Sequence, residues 1–229
     1  MGLAGVCDHV PMTSEIARIE ARDRDRVPSA WRAAGAAVVG GIFLGAMGRG
    51  VDQFEARTIH WFSALGAPWL LAAFVIGAFV GRHRLGAAAG AGALAIGPLA
   101  YYAIFHFVEH EMGGFTSGAV GLAWAIGGIP AGAVFGWAGA AWWQRRGPLS
   151  TAAVAGALLG EALLLQSIWH RPLAMRVLVI EAVAGVLCAL LLTRERSRAL
   201  AMTAGVALLV VVAELVLREA ARTAGWSGA

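Results

Sequence analysis

His106, Glu109 and His110 stand in the order H-x-x-E-H. In that pattern two imidazoles on one helical face hold zinc and the carboxylate serves as general base. A second set of reactive side chains is purely acidic. Glu161, Glu181 and Glu214 each interrupt a long apolar run, where an ionisable group is costly and usually marks a conduction path or a reactive site. Zinc-assisted hydrolysis and proton transfer are the chemistries these residue types suggest, and the elements that hold them decide between the two.

Those elements are membrane helices. The chain has 229 residues, 59% hydrophobic and 14% charged, whereas a soluble domain carries about 25% charged residues. Seven apolar stretches follow one another, at roughly 33–48, 66–81, 86–107, 118–143, 150–170, 173–193 and 199–218, most of them near the length that crosses a bilayer. The expected fold class is all-α: a polytopic membrane helix bundle of about seven transmembrane helices with its N-terminus inside. Residues 1–30 contain the mixed-charge stretch EIARIEARDRDR and read as a cytoplasmic tail. A signal peptide would place its apolar segment directly behind a short basic start. Residues 31–222 are the membrane domain and 223–229 a short C-terminal tail.

All 18 basic side chains are Arg, set mainly between the spans, so the positive net charge does not point to nucleic acid. Cys7 and Cys188 form no CxxC pair, which excludes a thiolate zinc site or disulfide framework. Twelve arginines, including Arg82, Arg84, Arg145, Arg146, Arg194, Arg196 and Arg198, fall on one side of the spans. The other side holds six, Arg49, Arg57, Arg171, Arg176, Arg218 and Arg222. The richer side is cytoplasmic. Gly41/Gly45, Gly77/Gly81, Gly86/Gly90, Gly128/Gly132/Gly136 and Gly156/Gly160 repeat at the spacing that lets helices approach closely in lipid.

Depth singles out two of the acids. The turn between spans five and six centres on His170–Pro172, with Glu161 ten residues before Arg171 and Glu181 ten after it. At about 1.5 Å per residue both lie roughly 15 Å below the outer boundary, near the midplane. If they face each other on adjacent antiparallel helices, repulsion and lost hydration favour a proton on at least one at neutral pH. The competing reading is a neutral pair acting as interhelical glue. Glu214 has Arg218 four residues on, and an i,i+4 ion pair near the outer end accounts for it about as well.

Trp69, Tyr101, Tyr102 and Trp124 fall at similar depths and either line a cavity or belong to the interfacial aromatic belt. The H-x-x-E-H stretch closes span three just before Gly113 and Gly114. A zinc peptidase needs a third protein ligand and a cleft as well. A solvated helix end rich in His and Glu explains it more simply, so no metal is expected and His106, Glu109 and His110 stay weak candidates. Ceramidase-type zinc hydrolases share the helix number, but the last two spans here contain no His.

Two stretches, SALGAPWLLAAFVIGAFVGR (63–82) and GIPAGAVFGWAGAAWW (128–143), carry a resemblance. In their Gly, Pro and Trp spacing they resemble a family of small actinobacterial integral membrane proteins. That family is related to the bacterial membrane-bound terpene cyclases of indole-sesquiterpenoid (drimentine-type) pathways. The likeness covers the central part of the chain and carries over no catalytic motif. It implies protonation-initiated cyclisation of a prenylated, farnesyl-indole-like substrate in a bacterial cytoplasmic membrane, without a cofactor. Such chemistry needs a neutral carboxylic acid, a dry pocket and aromatic faces that stabilise cationic intermediates. Glu161 or Glu181 as acid, the other carboxyl as orienting partner, and Trp69, Tyr101, Tyr102, Trp124 and Glu214 as substrate contacts would meet these needs. The chain has no DDxxD diphosphate motif, which counts against ionisation-initiated prenyl chemistry.

The rival class is transport. Substrate-binding subunits of energy-coupling-factor vitamin transporters are similar in size and in Gly/Ala richness, but typically have six spans. A proton-coupled carrier and a non-catalytic accessory protein are the remaining readings.

Overall fold

The computed structural model describes residues 26–53, 65–107, 114–145, 147–168 and 172–225. These residues form seven helices and no strand: α1 Arg26–Gln53, α2 Gly66–Val80, α3 His83–Phe107, α4 Gly114–Arg145, α5 Pro148–Ile168, α6 Pro172–Leu191 and α7 Arg196–Thr223. Each expected span corresponds to a helix. α1 and α7 run further than their apolar cores because the flanking Arg, Glu and Gln residues continue a helix readily. α1, α3, α4, α5 and α7 supply stretches long and apolar enough to cross a bilayer, so the chain is a helical membrane protein. Most of the N-terminal tail and the last residues of the C-terminal tail lie outside the described residues.

α7 displays the polarity of the bundle. Its buried side is Thr203, Ala207, Val210, Glu214, Arg218 and Ala221, at helical spacing, while Leu208, Leu209, Val212, Leu215 and Val216 face outward. A soluble helix would reverse this arrangement. In lipid the apolar side chains meet acyl chains and the ionisable ones turn inward.

Glycine contacts give the helix directions. Gly41 meets Ala93 and Ile96, and Gly45 meets Gly97 and Tyr101, so α1 and α3 run parallel. Gly90 meets Gly132 and Gly136, and Gly128 meets Leu94, so α3 and α4 run antiparallel. α5 and α7 are parallel through Gly156 on Val206 and Gly160 on Val210. α1 to α4 pack as one group and α5 to α7 as another, joined where α2 and α4 meet α5 and where α4 meets α7.

The four-residue glycine spacing is used as expected, with one exception. A Cβ at Gly90 would lie 2.9 Å from the Gly136 Cα, and one at Gly160 would lie 2.9 Å from the Ala207 carbonyl oxygen. Gly81 instead ends α2 in the left-handed region at φ 68°, its N–H donating to the Gly77 carbonyl, a conformation that glycine adopts without a Cβ penalty.

Gly132→Val should therefore separate α3 from α4, because its Cβ would fall 2.9 Å from the Ala91 Cα. We expect a loss of about 1–3 kcal/mol, the usual result of overpacking. Gly205→Ala enters open space and should leave stability unchanged or slightly raised. Thermal unfolding in detergent, followed by tryptophan fluorescence, compares the two.

Candidate functional site

α2 is 15 residues long, about 22 Å, and so falls short of the roughly 30 Å hydrocarbon core. Its far end lies beside Trp143 and Gln144 at the end of α4, where the Gln144 side-chain amide donates to the Gly81 carbonyl at 2.6 Å. Its start therefore lies within the bundle. Leu65 and Ala67 are buried there. The first N–H groups of a helix have no intrahelical partner, and an unmet donor in hydrocarbon costs several kcal/mol. Leu65, at the cap position, provides no side-chain hydrogen bond, and Pro68 has no N–H at all.

Glu161 supplies the missing cap from α5. The Ala67 N–H donates to Glu161 Oε2, with the Gly66 N–H alongside. A carboxylate at a helix N-terminus satisfies orphan donors and meets the positive end of the helix dipole. Glu161 is fully buried, at 0% exposure. The absence of a side chain at Gly66 makes the approach possible, since a Cβ there would stand 2.9 Å from Glu214 Oε2 and 3.4 Å from Glu161 Oε2.

Glu214 is thus the second carboxyl at the α2 start. Its Oε1 accepts from Arg218 Nε at 3.0 Å and from Arg218 Nη2 at 2.5 Å, and both side chains are buried. Glu181, also buried, lies close enough for its charge to interact with those of Glu161 and Glu214. Glu161 Oε1 and Glu181 Oε2 have no hydrogen-bond partner among the described residues. Three acids from α5, α6 and α7 therefore surround one helix start, and Arg218 pairs with Glu214.

The expected acids are brought together, but in a different order of importance. The i,i+4 spacing of Glu214 and Arg218 is indeed used as an ion pair, but the pair is buried and Glu214 is a neighbour of Glu161. The α2 start was not marked by residue spacing. The available signal was a short span opening on Gly66-Ala67-Pro68 without a capping side chain.

The aromatic candidates sit on the other group of helices. Trp69 packs its ring on Gly48 and Gly97, between α1 and α3, because glycines there leave room for an indole. Tyr102 lies against Gly121 of α4, and Trp124 is half-buried on α4. Tyr101 donates its hydroxyl hydrogen bond to Asp52. Arg49, 3.9 Å from Asp52, lies over the Phe105 ring at 4.1 Å and the Tyr101 ring at 5.8 Å. This second polar cluster ties α1 to α3. It exists because α1 continues through Arg49 and Asp52, residues expected beyond the first span.

His106 is half-buried on α3 and stacks edge-on against Phe107; Glu109 and His110 lie outside the described residues. Among the described residues no group of three His, Cys, Asp or Glu side chains could hold a metal ion.

Over residues 24–223 the chain matches a family of unknown function (DUF6518), and it belongs to that family. No curated protein and no solved structure matches it.

Glu214→Ala would take the carboxylate away from the buried Arg218, and we expect destabilisation of about 3–5 kcal/mol. The double variant Glu214→Leu/Arg218→Met removes both charges and should recover most of that loss. Denaturant titration of the purified protein in detergent distinguishes them, and equal losses would contradict the buried ion pair.

Proposed function

We propose that this chain is a membrane-embedded acid catalyst that protonates an apolar, polyunsaturated substrate. In its most specific form this is the protonation-initiated cyclisation of a prenylated, farnesyl-indole-like molecule, in a bacterial cytoplasmic membrane. The observation that carries the reading is Glu161: one oxygen is held by the α2 start while the other, fully buried, has no hydrogen-bond partner among the described residues. A carboxylic acid in that state accepts an N–H at one oxygen and presents O–H from the other. Its apolar surroundings favour the neutral form, as a general acid working near neutral pH requires. Glu181 stands near as a second carboxyl able to take up or replace the proton.

The chemistry balances without a cofactor. Glu161 gives a proton to a terminal alkene, ring closure moves the cation along the chain, and loss of a proton to a nearby carboxylate ends the reaction with an isomer. Aromatic faces would stabilise the cation on the way. Trp69 of α2 packs against α1 and α3, and Tyr101 and Tyr102 of α3 face α1 and α4. They support the cyclase reading less than Glu161 does.

A second reading, proton-coupled transport, has its own observation. The acids lie where the two helix groups meet, at the start of a helix shorter than the membrane. Carriers place coupling sites at such discontinuous helices. The described residues form seven helices, against the typical six spans of a vitamin-binding subunit, with α2 shorter than the membrane.

Membranes containing the wild-type chain, or its Glu161→Gln variant, should be given farnesylated indoles and analysed by chromatography with mass detection. Cyclisation predicts a new product of unchanged mass, lost by at least about a hundredfold without the acid. Consumption of no compound in the panel, together with proton-driven uptake of a solute that Glu161→Gln abolishes, would replace catalysis by transport.

A further inference from the structure

Two carboxyl oxygens, Glu161 Oε2 and Glu214 Oε2, crowd the same point beside the Gly66 backbone. Like charges that close, in surroundings of low dielectric, are not both retained. The two side chains are held differently. Glu214 has a full counter-charge, since Arg218 reaches its Oε1 through both Nε and Nη2. Glu161 has only backbone N–H groups, which act as partial charges.

The charged groups around Glu161 among the described residues are few. α6 contributes Glu181 and α7 contributes Glu214 and Arg218. α2 contributes no titratable side chain, and the only one on α4 is Arg145 at its far end. Among the described residues one guanidinium therefore faces three carboxyls, and it donates twice to Glu214.

We propose that Glu214, clamped by Arg218, is a positioning residue that holds the fixed negative charge beside the α2 start and so leaves the proton on Glu161. This rests on the reading of Glu161 as a proton donor and adds what makes it one. Arg218 serves as the anchor for the anion rather than as a contact for substrate. Glu214 acts through Glu161 and needs no contact with the reacting atoms. The arrangement also explains why an ion pair is buried here, where surface pairing on α7 would contribute little.

The test reads the proton without needing a substrate. Dicyclohexylcarbodiimide is apolar and adds to protonated carboxyls, and the adduct rearranges to a stable N-acylurea of defined added mass. The full-length protein in membranes would be treated at neutral pH and its peptides mapped by mass spectrometry. We expect the adduct on Glu161 and not on Glu214 in the wild type. Glu214→Gln removes the fixed anion while keeping the Arg218 charge, which favours ionised Glu161, so labelling of Glu161 should fall about tenfold or more. Arg218→Lys keeps the clamp and should retain the labelling. Glu214→Gln/Arg218→Gln removes both charges and should restore it.

An adduct on Glu214 in the wild type would overturn the proposal, and that measurement needs no variant to fold. Labelling of Glu161 in Glu214→Gln equal to the wild type would overturn it as well. The expected labelling pattern in a protein that forms no isomer would uphold the positioning role and remove cyclisation as the use of the proton.

Discussion

A helix that begins inside a membrane must have its first N–H groups met by something, and in this bundle Glu161 meets them. α2 is too short to span the bilayer and has no capping side chain of its own, so the donor at Ala67 depends on a carboxyl from α5. That dependence joins the two helix groups: α2 belongs to the first and α5 to the second. It also fixes where the acids lie. Glu214 and Glu181 gather around the same point because α7 and α6 flank α5. A side chain at position 66 would close the space in which the carboxyls meet.

The remaining packing follows from the solvent. Lipid gives apolar side chains no reason to leave it, so helices associate through close backbone approach and buried polar contacts. Gly86, Gly90, Gly132 and Gly136 supply the approach between α3 and α4. The polar contacts are concentrated in two places, Arg49–Asp52–Tyr101 between α1 and α3 and Glu161–Glu181–Glu214–Arg218 around the α2 start. Each lies within one helix group or at the junction between groups. The first uses an aromatic hydroxyl and an arginine stacked on rings, which is well suited to holding helices together. The second leaves two carboxyl oxygens without a partner among the described residues, which a purely structural cluster would have no reason to retain.

That contrast separates the two clusters more sharply than residue type does. Asp52 is as acidic as Glu161 by sequence, yet a tyrosine hydroxyl and a nearby arginine engage it. The aromatic side chains Trp69 and Tyr102 lie against glycines, so their placement is explained by packing before any substrate is invoked.

The sequence by itself determined that this is a helical membrane protein of seven helices, because hydropathy and glycine spacing are local quantities and lipid imposes them strongly. It also placed Glu161 and Glu181 at one depth, since depth along a helix is simple counting from the turn at Arg171. What only the tertiary structure decided is which groups face one another. Rotation about each helix axis cannot be counted along a chain whose helices are apolar all round. Spacing gave Glu214 and Arg218 as an i,i+4 pair near the outer end but not as neighbours of Glu161, which they are because α7 turns that face toward α5. The cap on α2 was hidden for a related reason: the partner of the Ala67 N–H is 94 residues away in the chain, and no local rule connects the two.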